Sequence, residues 1–180
     1  MSFSHLNGVM FDIETLGKEP GCALLSIGAC RFNIDQKRIY DEFYVTIDAQ
    51  DSLRHGLTYN KETLQWWREQ NPAALKGIQK NAKPAAEALN MFFEYLSKKR
   101  NEPLWAWGPH FDVPITQVAM MKVLGVNKMP WKYYNVYDGR TVCNVFGVDI
   151  ERDEGVHHNA LDDSIAQAKY LIDFFTSMSE

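Results

Sequence analysis

Hydrophobic positions alternate with polar ones over the first third of the chain, then shift to a spacing of three and four. Leu6 to Ile13 predicts a strand, and Ala23 to Phe32 a second one carrying Ile27, Gly28 and Ala29. Asn33-Ile34-Asp35-Gln36 reads as a turn, and Arg38 to Ile47 repeats Ile39, Phe43, Val45 and Ile47 as a third strand. These three runs predict an antiparallel meander. Helices follow: Asn60 is a candidate N-cap for Glu62 to Gln70, and Pro84 sits in the first turn of a helix reaching about Ser97. Leu104 to Trp107 predicts a short strand, Val113 to Leu124 a helix, and Val136 lies in a last short strand. Behind the candidate N-cap Asn159, Leu161, Ile165, Ala168, Ile172 and Phe175 predict a terminal helix. The order implies an α/β fold with a mixed sheet flanked by helices.

Composition changes this picture little. The chain has 180 residues, enough for one domain with a sizeable core, and no repeat or linker divides residues 1–180. Its net charge of −4 argues against a broad basic face for duplex binding, but leaves room for an enzyme that grips a few nucleotides. Cys22, Cys30 and Cys143 are scattered and odd in number, which points to reduced thiols. The N-terminal residues lack a signal-peptide pattern, and no apolar run approaches the ~18 residues of a membrane span. The expectation is a cytoplasmic protein.

The candidate chemistry begins at Asp12 and Glu14, two residues apart on a strand and therefore on one face. Two carboxylates ~4 Å apart repel by about 4 kcal/mol at an effective dielectric of ~20. A cation would offset that repulsion, and oxygen ligands without a nearby cysteine suit Mg²⁺ or Mn²⁺. Asp112 follows the fourth strand across Gly108-Pro109-His110-Phe111, and Asp162 falls in the first turn of the last helix. Sites of open α/β sheets gather at the carboxyl ends of strands, where the first three acids lie.

Asp12-Ile13-Glu14-Thr15, Phe111-Asp112 and His157-His158-Asn159-Ala160-Leu161-Asp162 together resemble the motifs of the DEDDh 3′–5′ exonucleases, of the RNase H-like superfamily. Gly17-Lys18-Glu19-Pro20-Gly21 and Thr63-Leu64-Gln65-Trp66-Trp67 are similar to a branch holding phage and prophage exonucleases and bacterial exoribonucleases. One departure is Gly108, where many members carry Asn four residues before the second-motif acid. The resemblance implies two Mg²⁺ or Mn²⁺ ions held by Asp12, Glu14, Asp112 and Asp162, with His157 as general base. The adjacent His158 competes for that role. It further implies hydrolysis from single-stranded 3′ ends, DNA slightly favoured over RNA, releasing nucleoside 5′-monophosphates. Thr15, Gly56, Leu57, Trp66 and Phe111 are expected near the terminal nucleotide. An oligoribonuclease-type activity and a non-catalytic accessory module are the alternatives, and a second copy of the chain is a candidate partner.

Overall fold

The computed structural model describes residues 2–70, 75, 78–99, 101–147 and 159–179. Its centre is β1 (Gly8–Thr15), which pairs antiparallel with β2 (Leu24–Asn33), and β2 pairs antiparallel with β3 (Arg38–Thr46). On the other side of β1, β4 (Leu104–Ala106) and then β5 (Val136–Asp138) add in parallel, giving the order β3-β2-β1-β4-β5. The meander and the mixed sheet are as the alternation predicts.

The helices around the sheet include α1 (Ala49–Arg54), α2 (Lys61–Gln70), α3 (Ala85–Ser97), α4 (Pro109–Leu124), α5 (Gly139–Val145) and α6 (Ala160–Ser177). Two of these, α1 and α5, are absent from the sequence expectation. Each has seven residues or fewer, too short to display a periodic stripe. Their N-caps are legible afterwards: the Asp48 carboxylate accepts from Gln50 and Asp51, and Asp138 accepts from Thr141. Helix α4 begins at Pro109, four residues before the expected Val113, because proline is well suited to the first helical position. None of the described helices is long and apolar enough to cross a membrane.

Side chains of β1 alternate between two cores. Phe11 and Ile13 pack with Leu89 and Phe92 of α3 and with Ile115 of α4. Met10 points the other way, into a cluster with Cys30, Phe32, Trp105, Leu171 and Phe175, beneath α6. Asp12 and Glu14 continue the α6 face, so they emerge where that core ends. Farther along β2, opposite Val9, the fully buried Arg31 pairs with Asp41 and with Glu102 at 2.8 Å and donates to the Tyr95 carbonyl. A buried cation needs such partners, and these four tie β2 to β3, to α3 and to the segment entering β4.

Candidate active site

Three elements deliver acids to one place. Asp12 and Glu14 are half-buried at the carboxyl end of β1, where the pairing register with β2 slips between Glu14 and Thr15. Such irregularities re-aim side chains next to sites. Asp112 comes from the first turn of α4 and is only 5% exposed. The third contribution is from α6, and it corrects the sequence expectation. Asp163, not Asp162, joins Asp12 and Glu14, with one carboxylate oxygen of each within 4.8 Å of the others. Asp162 is exposed and is not part of that group.

The physical reason is helix phase. Neighbouring residues of a helix point about 100° apart, so only one of the two aspartates can face the cluster. The expected stripe through Leu161 and Ile165 places the wrong one there, because both leucine and isoleucine are only half-buried. The first turns of α6 lie on the sheet through Ala160 and Ser164, both fully buried. Small residues make the closest approach, and a reading weighted by hydrophobicity passes over them.

Gln167 was missed too. Its Nε2 donates to Asp12 Oδ1 at 3.1 Å, one helical turn beyond Asp163. The signal was available, since positions four apart share a helix face. This hydrogen bond orients Asp12 and opposes the upward shift of its pKa. Gln167→Leu is therefore expected to weaken Mn²⁺ binding by about 10- to 100-fold, the usual loss when a residue supporting a ligand is removed. Titration calorimetry checks it.

Burial and mutual repulsion raise the pKa values of the clustered acids. Burial, then the charges of Asp12, Asp163 and Asp112, push Glu14 from its ordinary 4.5 up to about 9. Burial chiefly raises Asp12 from 3.8 to about 7, with Asp163 adding to it. Asp112 is pushed well above the usual carboxylate range by burial and by Asp12; backbone hydrogen bonds at Asp112 and Ile13 and the Arg140 charge pull the other way. Carboxylates held this close suit a hard divalent ion, which oxygen-only donors favour.

Beside the cluster lies a cleft of about 570 Å³, lined by Ile13, Glu14, Thr15, Gly17, Lys18, Glu62, Thr63, Trp66, Trp67 and Phe111. Glu14 belongs to both cleft and cluster. Trp66 and Phe111 are 37% and 36% exposed, whereas Trp67 is 2% exposed and donates from its indole to the Thr15 carbonyl at 2.9 Å. The two tryptophans thus divide into one lining ring and one structural tie between α2 and the end of β1. Thr15 is buried and its hydroxyl donates to the Gly17 carbonyl at 2.6 Å, closing the turn at the cleft's edge.

Gly56 and Leu57 are not among the residues lining this cleft. Leu57 is 4% exposed and belongs to the core, so it has no free face to wedge beneath a base. Gly56 has φ 80° and donates to the Leu53 carbonyl, while Leu57 donates to Ser52. That pair of bonds is a Schellman motif ending α1, with glycine at its left-handed position and a buried apolar residue after it. His157 and His158 lie outside the described residues.

The chain is similar to known proteins. The family model described as the 3′-5′ exoribonuclease Rv2179c-like domain matches residues 7–174. An exodeoxyribonuclease of Enterobacteria phage T4 is 24% identical over 156 residues, covering 73% of this chain and 68% of that protein. In three dimensions the chain is similar to exonuclease I from Methylocaldum szegediense, with a TM-score of 0.68 at 14% identity over 91% of this chain. It spans only 39% of that protein's length. The nuclease domain of 3′hExo, a DEDDh family member bound to rAMP, gives a TM-score of 0.59 at 12% identity, covering 95% of this chain and 93% of that one. At such identities the structures carry the fold alone, an RNase H-like exonuclease fold. The match over residues 7–174 carries more: the chain belongs to the family of Rv2179c-like 3′–5′ exoribonuclease domains and is a hydrolytic 3′–5′ exonuclease.

Proposed function

We propose that this domain removes nucleotides one at a time from unpaired 3′ ends of nucleic acid, releasing nucleoside 5′-monophosphates. The observation that carries the reading is the convergence of Asp12, Glu14 and Asp163, with Asp112 beside them, at the mouth of an aromatic-lined cleft. Asp12, Glu14 and Asp163 would hold one Mg²⁺ or Mn²⁺, and Asp12 with Asp112 a second. Such a pair supplies charge stabilisation to the attacking and leaving oxygens of the phosphoryl displacement.

The protein's own residues do the rest. Glu14 and the turn at Thr15 border the sugar end of the cleft, and Trp66 and Phe111 offer ring faces to the terminal base. A base seated on these rings has left its pairing partner, which favours single-stranded ends. A histidine takes the proton of the attacking water, its ordinary pKa of about 6.5 suiting neutral pH. The motif counts five residues from base to acid. With Asp163 as the acid the count selects His158, in place of the His157 that pairs with Asp162.

Ribose is the preferred sugar in this reading, because the family that covers nearly the whole chain is described as exoribonuclease. The phage relative's name favours deoxyribose, the sugar first expected from the motifs. Matched 5′-labelled RNA and DNA oligonucleotides with Mg²⁺, Mn²⁺ or EDTA decide it. A ladder shortening from the 3′ end faster on RNA is expected; no shortening of either strand with any metal would refute the assignment.

Trp66→Ala is expected to raise KM by about 5- to 150-fold with kcat little changed, since a base–aromatic stack contributes ~1–3 kcal/mol. Steady-state kinetics on a short single strand would show it.

A further inference from the structure

Gly28 sits in the middle of β2, fully buried, opposite Asp12 on one side and Tyr44 on the other. Cross-strand partners share a face, so its missing side chain would project toward α6 beside Asp12. A Cβ built there would lie 2.1 Å from the Ala160 carbonyl carbon, 2.1 Å from the Leu161 nitrogen and 2.3 Å from the Ala160 oxygen. All three are backbone atoms, which cannot swing aside as a side chain can. The first turn of α6 therefore rests directly on the sheet, through the one residue type that leaves the space.

The contact continues with small groups. Cys30, the next residue on that face of β2, approaches the Ser164 carbonyl at 3.7 Å, and Ala160 and Ser164 are fully buried. Aspartate is short, so Asp163 reaches Asp12 and Glu14 only from a helix held this close. Asn159 completes the seat by accepting from Leu161 and Asp162, fixing where the helix starts.

We infer that Gly28 is a positioning residue of the acid cluster: by admitting the backbone at Ala160–Leu161, it sets the distance of Asp163 from Asp12 and Glu14. The inference rests on the metal-binding reading proposed above, and touches neither substrate nor ion itself.

Mn²⁺ titration of Gly28→Ala tests it, with Gly8→Ala as the comparison. Gly8 lies at the far end of β1, where an added Cβ would meet the Pro103 carbonyl oxygen at 2.2 Å, a clash of the same kind remote from the acids. Gly28→Ala is expected to bind Mn²⁺ at least tenfold more weakly, and Gly8→Ala within twofold of the parent. Adding Asp163→Glu to Gly28→Ala should recover part of the loss, because glutamate reaches one methylene further. Equal losses in both glycine variants, or parent affinity in Gly28→Ala, would overturn the inference. Ala160→Ser lifts the same helix end more gently, and an unchanged affinity there counts against it even should Gly28→Ala not fold. In EDTA, Asp163→Asn should stabilise the parent but not the Gly28→Ala protein. A parent that binds no Mn²⁺ would remove the metal reading, and this metal-free comparison would still decide the role of Gly28.

Discussion

Asp163→Asn is expected to lower the rate of 3′-end hydrolysis by about 10²–10⁴-fold, and Asp162→Asn to leave it within about threefold. The two residues are adjacent and chemically identical, so the contrast isolates geometry. Asp163 contributes an oxygen to the group with Asp12 and Glu14, while Asp162 is exposed and stands outside it. Losing a ligand to an ion that stabilises transition-state charge removes several kcal/mol, and each 1.36 kcal/mol is tenfold in rate. Single-turnover digestion of a labelled oligonucleotide, with circular dichroism to verify folding, would measure both. A large loss in Asp162→Asn with none in Asp163→Asn would reverse the assignment. The same assay on His157→Ala and His158→Ala reports the base.

The metal-free protein is expected to lose stability as pH rises from about 5 to 9, and divalent ions to flatten that dependence. Folding raises Glu14 from 4.5 to about 9 and Asp12 from 3.8 to about 7. Between those values the native state holds protons that the unfolded chain has released. Stability therefore decreases with pH across the interval, as linkage requires when the unfolded state binds fewer protons. Below the unfolded values the effect vanishes. Glu14→Gln should raise the metal-free Tm at pH 9, by about 2–4 °C for each kcal/mol of relieved burial and repulsion in a chain this size. Calorimetric scans in EDTA and in Mg²⁺ across this range check both statements. A metal-free Tm that rises from pH 5 to pH 9 would contradict the picture of crowded, buried acids.

Much of this was readable in order along the chain. Alternation over β1 to β3 placed Asp12 and Glu14 on one face because strand geometry has a strict period of two. The acid at 112 is legible from its place after a strand end; the extra turn of helix from Pro109 is not, because a proline suits a loop as well as a first helical position. The helix end at Gly56 and Leu57 is hidden for a different reason. A glycine followed by an apolar residue is compatible with a helix end or a ligand loop, and only the bonds to Leu53 and Ser52 distinguish them.

The amino-acid pattern by itself determined the mixed sheet, the oxygen-only acid set on β1 and α4, and the family likeness. It could not choose between two histidine–aspartate pairs with identical spacing, since His157 and His158 stand five residues before Asp162 and Asp163 respectively. That choice belongs to tertiary structure. The rotation of α6 about its axis is set where Ala160 and Ser164 meet Gly28 and Cys30, a contact between small residues far apart in sequence. A backbone that approaches this closely turns one aspartate to the acids and its neighbour to solvent.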